Sequence, residues 1–348
     1  MKTILAIDLG KRNSVFCKFD TGSLKTKYST VKTSAEKFHE IFKELDIKDT
    51  IVLFEIGSQA GWLSDLLRAM KIDFKVANVN HSAWKWTNNQ SKSDKNDAQR
   101  LAMMYHHGFF PEVYVPLAPV RQNRSLIYYR RKIVSRMTQV KNSIRAIMGT
   151  VDIDLPAGKN CWTHKHFEQM KEMALPFGRI DNYEFWRGQL YIELEQYDKL
   201  LECLDKTTGS LDELNKREPR VKLLQTAPGV GPRTAEAIVS VIDDPRRFKS
   251  CRQVCNYVGF TPRRYQSGEM DRTGRISKRG NPHLRALLVQ AAWAAMRFPW
   301  ANQIYNRVCR GSVKRRKIAI IAVARHLLIR CWAMLRDNKP WRYQVEEA

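Results

Sequence analysis

The sequence predicts an α/β region at the N-terminus, a helical middle region and a mainly α-helical C-terminal region. Three observations indicate this architecture. Short apolar runs alternate with helical periodicity up to residue 117, a long basic helical pattern begins at Ala118, and the composition changes again near Leu211. Because a chain of 348 residues is long enough for two or three domains, we predict domains at 1–117, 118–210 and 211–348.

Within the N-terminal region, strands and helices are predicted to alternate. Ile4–Ile7 is a short apolar run that a polar residue, Asp8, interrupts, and Val15–Phe19 alternates as its hairpin partner should. Ser93 precedes a helical stretch and is a suitable N-cap. The other predicted elements are, in order, a helix at Ser34–Leu45, a strand at Thr50–Phe54, a helix at Ala60–Met70, a strand at Phe74–Val79 and a helix at Asp94–His107.

The middle region is predicted to contain two long helices. Ala118–Ile147 includes eight basic side chains and no acidic one, and Tyr183–Leu204 has Tyr, Leu and Trp on one face. The two helices fit an antiparallel core hairpin and a dimerising coiled coil equally well. An irregular segment, Asp152–Arg179, is predicted to separate them.

The C-terminal region contains an element that resembles a helix–hairpin–helix. Val221–Thr226 is followed by a turn with Gly229 and Gly231 and by a predicted helix at Thr234–Ile242. Glycines let backbone N–H groups approach phosphate oxygens, and a helix N-terminus favours anions. We therefore predict that both glycines contact nucleic-acid phosphates; the alternative is an ordinary turn that caps a helix. Two further helices are predicted at Pro282–Arg297 and Lys317–Leu335.

The charge balance favours a nucleic-acid partner. The chain has 60 Lys and Arg residues against 35 Asp and Glu residues, a formal net charge of +25. Such a surplus attracts polyanions strongly. A membrane surface would attract it too, but the apolar run Ile318–Ala324 is too short to span a bilayer and is flanked by charge. We therefore predict no membrane partner.

Cysteine usage and the N-terminus predict a cytoplasmic protein, associated with the nucleoid when it is bound to DNA. The seven cysteines are scattered, odd in number and without paired spacing, which is typical of a reducing compartment. Asp8, Lys11 and Arg12 interrupt the N-terminal apolar stretch before a signal sequence can develop.

Four acidic residues are candidates for a metal site. Asp8 follows the first strand, Glu55 ends a second strand, and Asp94 and Asp97 are three residues apart at a helix start. Metal-assisted phosphoryl transfer needs several carboxylates that converge on divalent cations, and the RNase H-like fold supplies them in this strand–strand–helix order. Each acid alone also has an ordinary explanation, as a turn residue or as a partner of the helix dipole.

A second candidate site lies in the segment from Phe260 to Gly280, which is predicted to be a polar, glycine-punctuated loop. Arginines clamp phosphates and stabilise the charge of a phosphoryl-transfer transition state. Ser267, beside a glycine, could attack a phosphodiester, although serine is also common in turns. His283 is a candidate proton shuttle. The predicted nucleic-acid-binding side chains of this segment are Arg263, Arg264, Arg272, Arg275, Lys278 and Arg279.

Together these segments resemble the IS110 family of insertion-sequence transposases, the DEDD recombinases guided by a bridge RNA. The resemblance covers most of the chain and is strongest in the block Lys92–Ala98 and in the run Gly259–Gly280, above all at Tyr265–Glu269. It implies a RuvC-like N-terminal domain with Asp8, Glu55, Asp94 and Asp97 as an acidic tetrad that binds Mg²⁺. It also implies a helical linker and a C-terminal transposase domain.

In the C-terminal domain the resemblance implies that Ser267 is the nucleophile, through a phosphoserine intermediate. The implied partners are double-stranded donor and target DNA, a structured guide RNA and further copies of the chain, in a dimer or tetramer with composite sites. Three alternatives remain: a metal-dependent nuclease of the Holliday-junction type, a site-specific DNA invertase, and a non-enzymatic nucleic-acid-binding scaffold.

Overall fold

The computed structural model of the chain describes residues 3–79, 81, 84, 93–180, 183–268 and 270–342. They form two units, Met1–Pro119 and Val120–Ala348. The predicted boundary at 117/118 lies close to the division between the units. The predicted boundary at 210/211 falls inside a continuous helix, Phe185–Lys216, and the three-domain division stays a prediction.

The first unit is built on a five-stranded mixed sheet. The strand order is β3-β2-β1-β4-β5; β1 is antiparallel to β2 and parallel to β4, and β4 is parallel to β5. This mixed sheet, with a mostly helical remainder of the chain, fits the predicted RNase H-like region. The elements are β1 (Thr3–Asp8), β2 (Asn13–Asp20), β3 (Thr26–Lys32), α1 (Ala35–Lys43), β4 (Thr50–Glu55), α2 (Ala60–Ala69), β5 (Phe74–Ala77) and α3 (Asp94–His106).

Alternation along the strands builds a three-layer core. On β1, Leu5 and Ile7 pack with α1 and α2, whereas Ile4 and Ala6 pack with α3 on the opposite face. Successive side chains of a strand point to opposite faces, so each face receives its own row of apolar side chains. The sheet is therefore covered by two helices on one side and by α3 on the other.

The second unit contains the remaining helices and a small antiparallel ribbon. Its elements are α4 (Ala118–Thr150), α5 (His164–Met173), α6 (Phe185–Lys216), α7 (Pro219–Gln225), α8 (Pro232–Ile242), α9 (Cys251–Val258), β6 (Pro262–Ser267), β7 (Met270–Ile276), α10 (Pro282–Ala295), α11 (Pro299–Cys309) and α12 (Arg316–Asp337). Apolar side chains of α4, α5 and α6 form one core cluster, and those of α7 to α12 form another. The segment 152–179 was predicted to be irregular, but it contains helix α5.

The helical segment Val313–Asp337, which contains α12, is long and apolar enough to cross a membrane by length and composition alone. Within this unit, however, Val323, Leu327 and Cys331 are buried against the other helices. A core helix has the same composition, and we interpret α12 as one.

The turn between α7 and α8 contains the two glycines that the sequence predicted as phosphate contacts. Gly229 has φ +85°, and a Cβ there would lie 2.4 Å from the carbonyl oxygen of Ala291 on α10. Gly231 is exposed, and a Cβ added to it would have no other heavy atom within 4 Å. Hence the missing side chain of Gly229 serves helix packing, and of the two glycines Gly231 is the one with open space beside it.

This difference predicts unequal stabilities for two matched variants. Gly229→Ala is expected to lower the free energy of unfolding by about 2–4 kcal/mol, because it combines left-handed backbone strain with overpacking against α10. Gly231→Ala is expected to cost less than about 1 kcal/mol, the loss of a favourable N-cap residue. Urea unfolding measures both, and equal losses would contradict this assignment of Gly229.

Candidate active site

Asp8 and Glu55 lie side by side at one edge of the sheet. Their strands are parallel neighbours, and the residues just before them, Ile7 and Phe54, are in register. Asp8 is separated from Ile4 and Ala6 by an even number of residues along β1, so the three side chains lie on the same face of the sheet. Glu55 is related in the same way to Ile51 and Leu53 on β4. These four apolar side chains pack against α3. Alternation therefore directs both carboxylates to the α3 face. Both side chains are partly exposed.

Helix α3 runs antiparallel to β1. Near its C-terminal end the His106 ring lies 5.3 Å from the Phe19 ring, and Phe19 pairs with Ile4 at the start of β1. At about 1.5 Å per residue, Asp97 lies roughly 14 Å from His106 along the helix. At about 3.3 Å per residue, Asp8 lies roughly 13 Å from Ile4 along the strand. The helix N-terminus therefore comes to the edge where β1 ends.

The two acids of α3 are on its sheet-facing side. Ala98 and Leu101 are fully buried against the sheet, and Asp94 and Asp97 each precede one of them by one helical turn. The hydroxyl of Ser93 accepts a hydrogen bond from the Asn96 N–H at 3.3 Å, which confirms the predicted N-cap. All four predicted acids thus belong to one corner of the first unit.

The donor set of this corner fits a hard divalent cation, because carboxylate oxygens are the ligands that Mg²⁺ prefers. Among the described residues, no group of three or more His, Cys, Asp and Glu side chains lies close enough together to hold a metal ion. The four carboxylates therefore share a corner without forming a closed ligand cage. The Asp97 carboxylate also lies 3.9 Å from the guanidinium of Arg100.

Residues 262–267 and 270–276 form an antiparallel ribbon, whereas the sequence predicted a loop. Strands β6 and β7 pair from Ser267 and Met270 back to Pro262 and Ile276, with a bulge near Pro262. Nearly all of their residues are exposed. The prediction was wrong because both faces of these strands are polar, so no apolar alternation indicated them.

Ser267 lies at the tip of this ribbon. It is the last residue of β6 and is exposed, and Gly268 opens the turn in a left-handed conformation, with φ +56°. Glu269 lies outside the described residues. The Ser267 hydroxyl is thus carried on a projecting turn that a bulky substrate such as DNA can reach.

The predicted basic residues of this segment differ in their contacts. Arg264 donates two hydrogen bonds to the Asp271 carboxylate, at 2.9 and 2.5 Å, and this pairing raises the pKa of Arg264. Arg263 lies at the bulge, 3.5 Å from the Ser277 carbonyl. The remaining four side chains are exposed, and none of them forms an ion pair with a carboxylate of the described residues: Arg272, Arg275, Lys278 and Arg279.

Contacts that the sequence did not predict fix the base of the ribbon. Arg285 donates to the carbonyls of Val258 and Arg279 at 2.8 and 3.0 Å. Asn281 caps α10 and donates to the hydroxyl of Tyr128 on α4. These partners are up to 153 residues apart, so sequence spacing could not reveal them.

His283, the predicted proton shuttle, is half-buried beside Tyr128, with ring centroids 6.0 Å apart. Burial, together with the positive charges of Arg131 and Arg130, lowers the pKa of His283 from 6.5 to about 4. The imidazole is therefore neutral at pH 7.

This shift predicts a pH dependence of stability. Because the folded-state pKa lies below the unfolded value, the unfolded chain binds more protons between pH 6.5 and 4, and stability falls as the pH falls through that window. We expect His283 to contribute about 1–2 kcal/mol of this loss, after allowance for its partial exposure. Urea unfolding of His283→Gln should show a shallower dependence than the exposed control His164→Gln; identical profiles would contradict the prediction.

Aromatic side chains among basic residues can stack on unpaired bases, and the aromatic residues in the basic segments of this chain differ in exposure. Trp84 packs against the core of the first unit, and its indole N–H donates to the Asn78 carbonyl at 2.8 Å. Tyr128, Tyr129 and Tyr265 are partly exposed. Trp86 and Lys92 lie outside the described residues.

Comparison with known proteins finds a matching transposase family model for a part of each unit. A family model described as a transposase of the DEDD IS110 type matches residues 5–151, and a model described as the transposase IS116/IS110/IS902 family matches residues 221–306. The first match contains all four acids, and the second contains Ser267. The chain belongs to the IS110 family of transposases. It is accordingly a DNA transposase, an enzyme of DNA recombination.

Individual relatives agree with this IS110-family assignment. A probable family 20 transposase of Pseudomonas aeruginosa is 27% identical, over 67% of this chain and 69% of the relative. The transposase for insertion sequence element IS1111A of Coxiella burnetii is 26% identical, over 72% and 69%. A pilin gene-inverting protein of Moraxella lacunata is 30% identical, over 48% of this chain and 49% of its own length.

Proposed function

We propose that this transposase cleaves and exchanges DNA strands by attack of the Ser267 hydroxyl on a phosphodiester, assisted by Mg²⁺ at Asp8, Glu55, Asp94 and Asp97. The observation that carries the proposal is the position of Ser267, exposed at the tip of an arginine-bearing ribbon inside a segment that a transposase family model matches. Serine is an effective nucleophile towards phosphorus only when the site stabilises the developing charge.

The serine step balances as a transesterification. The bond between Ser267 Oγ and phosphorus forms, the bond from phosphorus to one bridging DNA oxygen breaks, and the released strand end takes a proton as a hydroxyl. Attack by the hydroxyl of another strand end reverses the step and joins new partners. Exposed guanidinium groups, Arg272 and Arg275 among them, stabilise the extra phosphoryl charge.

The acidic corner is proposed to bind Mg²⁺ through carboxylate oxygens. When bound, the ion neutralises negative charge at the phosphate and acts as a Lewis acid. Because the corner itself is anionic, it would repel DNA without a cation. The carboxylates therefore make DNA binding at this corner depend on a divalent ion.

Further components of the proposal concern partners. We propose that donor and target double-stranded DNA are brought together by a structured guide RNA, in a dimer or tetramer of the chain. The net charge of +25 provides the attraction that several polyanions need, and such binding weakens steeply with salt.

The experiment that tests the proposed function is recombination in vitro. Purified protein is incubated with Mg²⁺ and DNA that carries the ends of its own element, with and without the transcript that flanks the gene. We expect joined donor–target products that require the transcript and disappear with EDTA. Products that form without RNA would overturn the guide-RNA component, and products that persist in EDTA would overturn the metal component.

A DNA invertase is the second candidate function, favoured by the likeness to the pilin gene-inverting protein. It uses the same chemistry on another substrate arrangement. A plasmid with two recombination sites in inverted orientation distinguishes the two, because an invertase flips the intervening segment and a transposase inserts its element at a separate target.

A further inference from the structure

The α11–α12 hairpin contains a cationic pocket that the proposed catalytic machinery does not use. A cavity of about 310 Å³ lies between the two helices, lined by Trp300, Gln303, Ile304, Arg307, His326 and Arg330. The family model that matches the C-terminal part of the chain ends at residue 306, so all of α12 lies beyond it.

The pocket carries two guanidinium groups, those of Arg307 and Arg330. Arg307 and Arg330 form no ion pair with any carboxylate of the described residues. Burial, followed by the positive charges of Arg307, Arg330 and Arg325, lowers the pKa of His326. Arg330 is partly buried, and a partly buried guanidinium with no anionic partner among the described residues is costly. An anion that enters the pocket therefore gains strong charge-assisted hydrogen bonds.

Two tryptophans hold Arg330 in place. Its guanidinium carbon lies 4.7 Å from the centroid of Trp341 and 5.4 Å from that of Trp300, and the two indole rings lie 5.2 Å apart. Both indole N–H groups are buried and form no hydrogen bond within the described chain. The stacking therefore fixes a planar cation beside the cavity before any ligand binds.

The sequence around the pocket is strongly basic. Residues 296–342 contain twelve Lys and Arg residues and a single acidic residue, Asp337. Four consecutive basic residues, Lys314–Lys317, comprise the end of the α11–α12 connection and the first two residues of α12, and His326 follows Lys317 by roughly 14 Å of helix. A chain of regularly spaced phosphates can contact both the pocket and this basic run, which an isolated small anion cannot do.

We propose that the α11–α12 pocket binds a backbone phosphate of a nucleic acid, with Arg307 and Arg330 as its ligands. The established DNA chemistry of the protein supplies such a polyanion. The proposal does not depend on Ser267 or on the acidic corner, because it concerns binding and not cleavage.

The test is equilibrium binding by the full-length protein, with labelled duplex DNA and labelled single-stranded RNA as probes over a series of salt concentrations. Arg307→Gln is expected to weaken binding of at least one probe roughly 5- to 10-fold and to reduce the salt slope by about 0.9 for duplex or 0.7 for single strands, the loss of one phosphate contact. A loss confined to one probe identifies that nucleic acid as the occupant.

The matched control is Arg336→Gln, which removes the same charge from α12. Arg336 is exposed and bonded to Asp337, so this variant should leave the salt slope unchanged. Arg330→Gln should reproduce the effect of Arg307→Gln; if it fails to fold, the exposed Arg307 variant still decides the question.

Two results would overturn the proposal: unchanged slopes for Arg307→Gln with both probes, or an equal reduction for Arg336→Gln. Recombination by Ser267→Ala is measured separately. Its loss or retention decides the proposed serine chemistry and leaves the phosphate-binding result of Arg307→Gln unaffected.

Discussion

Ser267→Ala is expected to abolish strand cleavage, by on the order of 10⁴-fold or more, and to leave DNA binding intact. The reason is that no other hydroxyl occupies the tip of the ribbon in the described structure, and removal of a covalent nucleophile cannot be compensated by charge stabilisation alone. Because Ser267 is exposed, the substitution creates no cavity, and the melting temperature should stay the same. Gel analysis of element-end DNA measures the cleaved fraction.

Thr273→Ala is the matched control for Ser267. Thr273 carries a hydroxyl on β7 of the same exposed ribbon and pairs with Arg264. Loss of this hydroxyl should change cleavage less than about threefold, within the range expected for a surface substitution. Comparable activity of Ser267→Ala and wild type would refute the serine mechanism.

Asp8→Asn is expected to lower Mg²⁺-dependent cleavage roughly 100-fold or more. A carboxylate-bound metal supplies several kcal/mol of transition-state stabilisation, and each 1.36 kcal/mol corresponds to about a factor of ten in rate. DNA binding without metal should be unchanged or slightly tighter, since a negative charge near the phosphates has been removed. Titration of cleavage with Mg²⁺ should show a raised requirement for the ion.

Asp65→Asn provides the comparison for Asp8. Asp65 lies on α2, away from the acidic corner, and pairs with Arg68 at 3.3 Å. This variant should keep both its rate and its Mg²⁺ dependence. An Asp8 variant that cleaves normally, or an Asp65 variant that is equally impaired, would contradict the metal assignment.

The sequence predicted the parts of the fold that burial dictates. Strands β1 and β4 and helix α3 were visible because their apolar residues recur with the period of the element. Strand β3 and the ribbon were not predicted, since Thr26–Lys32 and residues 262–276 are exposed on both faces. Helix α11 was missed for a similar reason: only Ala301 and Cys309 among its residues are buried.

The candidate site was predictable only in part. The order of the four acids along the chain indicated one corner, and strand parity and register in the structure agree with it. The pairing of Arg264 with Asp271 depended on a ribbon that had been interpreted as a loop. The contact between Tyr128 and Asn281 joins distant parts of the chain, which periodicity cannot reveal.

The most direct test of the serine mechanism is to identify the residue that becomes linked to DNA. Trypsin cuts after Arg264 and Arg272, which leaves a peptide with two hydroxyl side chains, Tyr265 and Ser267. Mass spectrometry of protein trapped on element-end DNA should place the nucleotide phosphate on Ser267, in a linkage that alkali removes by β-elimination. An alkali-stable linkage on Tyr265, or a linkage in any other peptide, would contradict the account.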